Sequence, residues 1–172
     1  MTSVSDNSSL AYVQLLLAGV MLMLASCVSQ PLKTETELTE ITAAEAAEET
    51  QLPAGTVLWG GVILGSSNLA ESTQLEILAY PLDKRQRPMT TRDALGRFLI
   101  ESEGYLETAN YADGRLVTVL GELDKLVDGT IGGAKYVYPA VKAAPDKLHL
   151  WNGEGDHETP RFTFGIGINL SN

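Results

Sequence analysis

The chain has 172 residues, of which 44% are hydrophobic and 20% charged, which is enough for one domain with flanking segments. Its 22 acidic and 12 basic residues give a net charge of −10 at pH 7. This balance argues against nucleic acid as a partner, because such binding gains affinity by neutralising phosphates. A single cysteine excludes an internal disulfide and cannot form a zinc site alone.

The first element is an apolar run over residues 10–25, "LAYVQLLLAGVMLMLA". A membrane-spanning helix needs about 20 apolar residues, whereas the apolar core of a secretory signal has roughly 7–15. The run ends in "LASC", which resembles the lipobox of bacterial lipoproteins. We therefore predict a signal peptide over 1–26, removed before Cys27, and acylation of Cys27, since several acyl chains give lasting membrane attachment.

Two alternatives to lipidation stay open. An uncleaved signal anchor is favoured by the first nine residues, which contain no lysine or arginine. The other alternative is a buried structural cysteine. Val28 stands where an aspartate would indicate inner-membrane retention in lipoproteins of enterobacterial type, so its presence favours the outer membrane of a Gram-negative bacterium.

Residues 27–55 form the next segment, which is rich in threonine, glutamate and alanine. Over residues 28–56 one lysine stands against six glutamates. A helix around 38–49 is compatible with this composition but has no convincing apolar stripe. We interpret the segment as a flexible, solvated spacer.

From residue 56 short β-rich runs alternate with turn signals, which predicts an all-β domain over 56–152. Leu75, Ile77 and Ala79 recur with a period of two, as in strands with one buried face. Six strands in this length predict a small antiparallel OB-like β-barrel, with a sandwich as the alternative. The predicted strands are 56–64, 73–82, 96–102, 114–123, 134–141 and 146–151.

The last segment, 153–172, is predicted to be a loop followed by a strand over 161–170. Apolar and small or polar residues alternate along this strand. It either packs on the domain or its edge, or it touches the membrane or a partner protein. One such strand cannot close a barrel in a bilayer.

The sequence "DKRQRP" (83–88) brings together Lys84, Arg85 and Arg87, the one local basic patch. It is either a solvated turn or a contact for anionic lipid headgroups or lipid A phosphates. Arg97 and Arg115 each follow a glycine and precede a strand. They are candidates to pair with Glu76 or Glu101 and brace the barrel.

No catalytic or metal site, and no cofactor, is predicted. No G-x-S-x-G motif is present, and the two histidines, His149 and His157, lack the partners of a general base or a zinc site. The aromatic residues either line a groove for a glycan or a peptide or pack in the core. They are Trp59, Trp151, Tyr80, Tyr105, Tyr111, Tyr136 and Tyr138.

Nine separated motifs, taken in order with the lipobox, resemble the starvation-inducible outer-membrane lipoprotein (Slp) family. They are "WGGVI" (59–63), "TQLEILAYPLD" (73–83), "RP" (87–88), "GRF" (96–98), "GYL" (104–106), Tyr111, "GRLVTVLGEL" (114–123), "YVYP" (136–139) and "HLW" (149–151). The resemblance implies a periplasm-facing outer-membrane lipoprotein associated with stationary phase or stress, and it brings no catalytic residues. The function predicted is a non-enzymatic role in envelope stability. The alternative is a module that binds anionic lipid, a glycan or a partner envelope protein.

Overall fold

The computed structural model describes residues 29–151, and six strands account for nearly half of that range. The predicted all-β class is thereby confirmed. The signal peptide, Cys27 and the predicted strand 161–170 lie outside the described residues. The elements are α1 (Ala43–Glu48), β1 (Thr56–Asn68), β2 (Ser72–Ala79), β3 (Arg97–Glu103), β4 (Leu116–Ile131), β5 (Ala134–Ala143), a 3₁₀ turn (Pro145–Lys147) and β6 (Leu148–Leu150).

Five strands pair in a ring, in the order β1-β2-β3-β5-β4 and back to β1, and β6 pairs with β4 outside it. This ring-like closure agrees with the OB-like prediction. One pair departs from the predicted antiparallel arrangement, because β3 and β5 run parallel over residues 99–102 and 140–143. A ring of five strands cannot alternate direction all the way round, so one parallel pair is unavoidable.

The β4–β5 hairpin is longer than predicted. The stretch "DGTIGG" was expected to be a loop, yet β4 continues through it to Ile131. Gly132 and Gly133 alone form the turn, with φ of 58° and 87°, as a two-residue hairpin turn of this kind requires. The second half of β4 pairs with β5 and contains no fully buried residue. Val127 and Ile131 are half-buried on one face, but Gly129 stands between them and hides this alternation in the sequence.

The main hydrophobic core lies inside the ring of strands. The predicted alternation in β2 is confirmed, since Leu75, Ile77 and Ala79 are buried and the residues between them are half-buried. Phe98 of β3 is fully buried and meets Trp59 of β1 edge-on, with ring centroids 5.1 Å apart.

At Gly61 the backbone of β1 lies very close to the backbone of β2. The carbonyl oxygen of Leu78 in β2 occupies the place that a Cβ on Gly61 would take. This strand pairs with β2 on one side and with β4 on the other, where Gly61 is opposite Val117. The absence of a side chain therefore lets β1 and β2 approach each other closely here.

Residues 30–49, which we call the strap, lie across the ring and are bonded to it. Leu38 forms a parallel bridge to Thr56, and the Thr39 N–H donates to the Thr56 carbonyl at 2.7 Å. The Trp59 indole donates to the Ile41 carbonyl at 2.9 Å. This differs from the predicted solvated spacer.

The strap contains the short helix α1, which begins with a capping box. Thr42 Oγ1 accepts from the Glu45 N–H, and the Glu45 carboxylate accepts from the Thr42 N–H. The backbone hydrogen bond from Thr42 lowers the pKa of Glu45, and the bond from its hydroxyl adds to this effect. Ala43 and Ala46 are buried against the sheet. Their side chains are too small to produce the apolar stripe that the sequence pattern would need, so their burial was missed.

Candidate membrane-facing site

A pair of hydrogen bonds fixes the start of the strap to the loop after β2, and we call this pair the clamp. Gln86 Oε1 accepts from the Leu32 N–H at 2.9 Å, and Gln86 Nε2 donates to the Leu32 carbonyl at 2.7 Å. Leu32 is 7% exposed and Gln86 5% exposed. The amide thus satisfies both buried backbone groups of Leu32, as a neighbouring strand would.

The loop that carries Gln86, residues 83–88, is called the basic loop below. Asp83 Oδ1 accepts from the backbone N–H groups of Arg85 and Arg87, at 2.7 and 2.9 Å, which fixes a tight turn. Gln86 has a φ of 69°, in the left-handed region that is unfavourable for residues with a Cβ. Thr118 of β4 donates from its hydroxyl to the Gln86 carbonyl at 2.7 Å. The loop is therefore rigidly bonded on both sides.

The structure brings the three predicted basic residues together on this one loop. Lys84 and Arg85 are exposed, and neither has an ion-pair partner within residues 29–151. The Arg87 guanidinium lies 5.5 Å above the ring centroid of Trp151. The Trp151 indole donates to Thr118 Oγ1 at 2.9 Å, so the same threonine holds both Trp151 and Gln86.

The predicted bracing pair is confirmed for one arginine. Arg97 Nη1 lies 2.8 Å from Glu76 Oε1, and the Tyr138 hydroxyl donates to the same carboxylate oxygen at 3.2 Å. The hydrogen bond to Glu76 raises the pKa of Arg97, and burial raises the pKa of Tyr138. Arg115 instead donates to the Asn110 carbonyl at 2.7 Å. The Arg97–Glu76 pair is partly exposed, so it contributes about 1 kcal/mol or less to stability.

The remaining candidates do not form a reaction centre in the part of the chain that the structure describes. His149 meets Trp151 edge-on, with centroids 4.5 Å apart, and burial lowers its pKa. His157 lies outside the described residues. Trp59 and Tyr138 are buried, as core packing requires, and only Tyr105 is largely exposed, at 69%. Residues 29–151 contain no group of three or more metal-ligating side chains.

Sequence reasoning missed the two residues that build the clamp, Leu32 and Gln86. Leu32 stands alone in a polar segment, and Gln86 interrupts a basic run, so neither belongs to a periodic pattern. The only feature of the sequence that indicates the clamp is the isolated leucine directly after Pro31. The hydrogen bonds of the clamp join residues 54 positions apart, and no local pattern reveals them.

Within residues 29–151, no helix is long and apolar enough to cross a membrane. An all-β domain whose strap runs back toward a lipoprotein motif defines a lipoprotein of the cell envelope. More specifically, the chain belongs to the outer membrane lipoprotein Slp family, whose model matches residues 24–165.

Two curated relatives support this assignment. A protein of Haemophilus influenzae, described as uncharacterized, is 33% identical over 106 residues, which cover 61% of this chain and 56% of that protein. The uncharacterized lipoprotein YeaY of Escherichia coli K12 is 32% identical over 131 residues, which cover 74% of this chain and 67% of YeaY. The chain thus spans little more than half the length of the first relative and about two thirds of the second.

Among solved structures, Schizosaccharomyces pombe Pot1pC bound to single-stranded DNA covers 71% of this chain and 90% of its own, with a TM-score of 0.30 and 9% identity. A similarity this weak carries no argument about function.

Proposed function

We propose that the protein is held in the outer membrane by acyl chains on Cys27, after removal of residues 1–26, and that its domain faces the periplasm. There it supports envelope stability during starvation or another stress, and it turns over no substrate. A module that binds anionic lipid, a glycan or an envelope protein is the second candidate, and the exposed Lys84 and Arg85 favour its lipid form.

The clamp is the observation that carries this proposal. Leu32 follows Cys27 by only five residues and is already bonded to the folded domain. A solvated spacer would let the domain move far from its attachment point, whereas a docked strap keeps the domain beside it. Such a construction suits a protein that acts at the membrane surface itself.

The anchor is tested by palmitate labelling of wild type and Cys27→Ala, followed by separation of inner and outer membranes. We expect the substitution to abolish labelling and outer-membrane location, because a single thiol accepts the first acyl group. Ser26→Ala is the matched control, since it keeps a small residue before the cysteine and should be labelled and sorted normally. The Cys27→Ala strain should also lose envelope integrity in starvation as fully as a deletion strain.

An unlabelled wild type that stays membrane-bound and unprocessed would contradict the anchor and make residues 10–25 a signal anchor. Equal envelope integrity in parent and deletion strains would contradict the stress role. Alanine at His149 and His157 should leave integrity unchanged in the same assay, since neither is proposed to act in catalysis.

A further inference from the structure

We propose that the basic loop binds the phosphate groups of anionic phospholipids in the leaflet that holds the anchor, so that the domain has one fixed orientation on the membrane. This inference rests on the proposed function, because it assumes acylation at Cys27. It goes further in naming phospholipid of the anchoring leaflet as the ligand of Lys84 and Arg85 and a fixed orientation of the domain as the consequence.

The short tether places the loop at the membrane. Leu32 is the fifth residue after Cys27, and five fully extended residues span at most about 18 Å. Leu32 is bonded to Gln86, and Lys84 and Arg85 precede Gln86 directly in the chain. Gln30 adds a long contact of 3.5 Å from its amide to the Lys84 carbonyl. The basic loop therefore lies within the reach of a short tether from the attachment point.

The acidic and amide side chains of the basic loop are held by hydrogen bonds, and Asp83 is exposed like the two cations that follow it. Asp83 directs its carboxylate to the backbone N–H groups of Arg85 and Arg87. The Gln86 side chain is occupied by Leu32. Lys84 and Arg85 are exposed and have no ion-pair partner in the described range, whereas Lys125 and Lys142 lie 2.8 Å from a glutamate oxygen. Four other exposed cations in that range share this state, but Lys84 and Arg85 are the two that stand side by side next to Gln86 of the clamp: the four are Lys33, Arg92, Lys135 and Lys147.

The loop is also rigid enough for a specific contact. Arg87 is placed over Trp151, and Thr118 bonds both Trp151 and the Gln86 carbonyl. A preorganised pair of cations loses less side-chain and loop entropy on binding than a mobile one. Guanidinium and ammonium groups are the usual partners of phosphate oxygens.

Phospholipid is favoured over a soluble anion, because the tether gives the surrounding headgroups a high effective concentration at the basic loop. A tether of five residues makes contact with the surrounding headgroups an intramolecular event, so weak contacts suffice.

The test uses the mature, acylated protein in vesicles and a membrane-impermeant, amine-acylating reagent, with modification of each lysine followed by mass spectrometry. One set of vesicles contains phosphatidylcholine alone, a second contains added phosphatidylglycerol, and a third contains added lipid A. We expect Lys84 to react roughly fivefold more slowly with phosphatidylglycerol present, the factor that one cation gains near an anionic surface. Lys135, exposed beside the β4–β5 turn, is the internal control and should not change.

The protection of Lys84 should disappear at about 1 M salt, where the Debye length is about 3 Å. It should also weaken in Arg85→Gln, which removes the second cation while leaving the clamp intact. Equal reaction of Lys84 in all vesicles would overturn the proposal, and protection by lipid A alone would overturn the choice of phospholipid. Flotation with neutral vesicles reports the acyl anchor separately, so a failure of the anchor is distinguishable from a failure of the loop.

Discussion

Gln86→Ala is expected to lower the free energy of unfolding by about 2–4 kcal/mol, as measured by urea denaturation. The substitution leaves the N–H and carbonyl of Leu32 without partners in a buried position, at about 1–3 kcal/mol for each group. If the strap lifts away to hydrate them, the burial of Leu32 is lost instead. Either route removes the contact that joins the tether to the domain.

Two further variants show whether the loss of stability comes from the clamp itself or from the loss of any glutamine. Gln86→Glu keeps the shape but replaces the Nε2 donor by a carboxylate oxygen facing the Leu32 carbonyl, so it should be at least as harmful. Gln74→Ala is the matched control, because its amide makes only a 3.5 Å contact with Glu101, and a change below about 0.5 kcal/mol is expected. Equal stability of Gln86→Ala and wild type would show that the clamp does not form.

Gly61→Ala is expected to destabilise the domain by about 3 kcal/mol or more, or to prevent folding. The new methyl group would coincide with the carbonyl oxygen of Leu78, which is held in the pairings of β2 with β1 and β3. Overpacking a core usually costs about 1–3 kcal/mol, and the higher values arise where backbone rather than a flexible side chain must move.

Gly65→Ala is the matched control within the same strand. Nothing lies within 4 Å of the Cβ that this substitution would add, so thermal and urea unfolding should change by about 0.5 kcal/mol or less. A similar loss at both positions would point to backbone flexibility of β1 rather than to close strand approach. Tolerance of Gly61→Ala would contradict the register of β1 between β2 and β4.

The ring of strands was largely predictable because its β-rich runs are separated by turn signals, and β2 shows the alternation of a half-buried strand directly at Leu75, Ile77 and Ala79. The strands β3, β4 and β5 instead contain continuous buried stretches of three to five residues. The distal half of β4 was not predictable, because Gly129 stands between the half-buried Val127 and Ile131 and predicts a turn there. The parallel pairing of β3 with β5 follows from the number of strands in the ring, and no property of either strand taken alone reveals it.

Only the basic residues of the candidate site were predictable from the sequence. Lys84, Arg85 and Arg87 stand out in the sequence because basic residues are scarce in an acidic chain. Their placement depends on Gln86 in a left-handed conformation and on Leu32, and neither belongs to a periodic pattern. The strap was missed for a related reason, because alanines and single hydrogen bonds dock it where large apolar residues would have left a visible stripe.

A docked strap changes what the region after the lipoprotein motif does. A solvated spacer of this length would separate the domain from the membrane, whereas the strap is bonded to the domain at Leu32, Thr39 and Ala44. The free tether then shortens to the few residues between Cys27 and Leu32. The domain is consequently kept at the surface, where a short basic loop is sufficient to orient it.

Amide hydrogen exchange along residues 29–49 of the mature protein tests the docked strap most directly. Three of its N–H groups are bonded to the domain, those of Leu32, Thr39 and Ala44. We expect them to exchange at least roughly a hundredfold more slowly than the exposed N–H of Glu35, because their exchange requires local unfolding. Exchange of all four at the rate of an unprotected chain would contradict the strap and restore the solvated spacer.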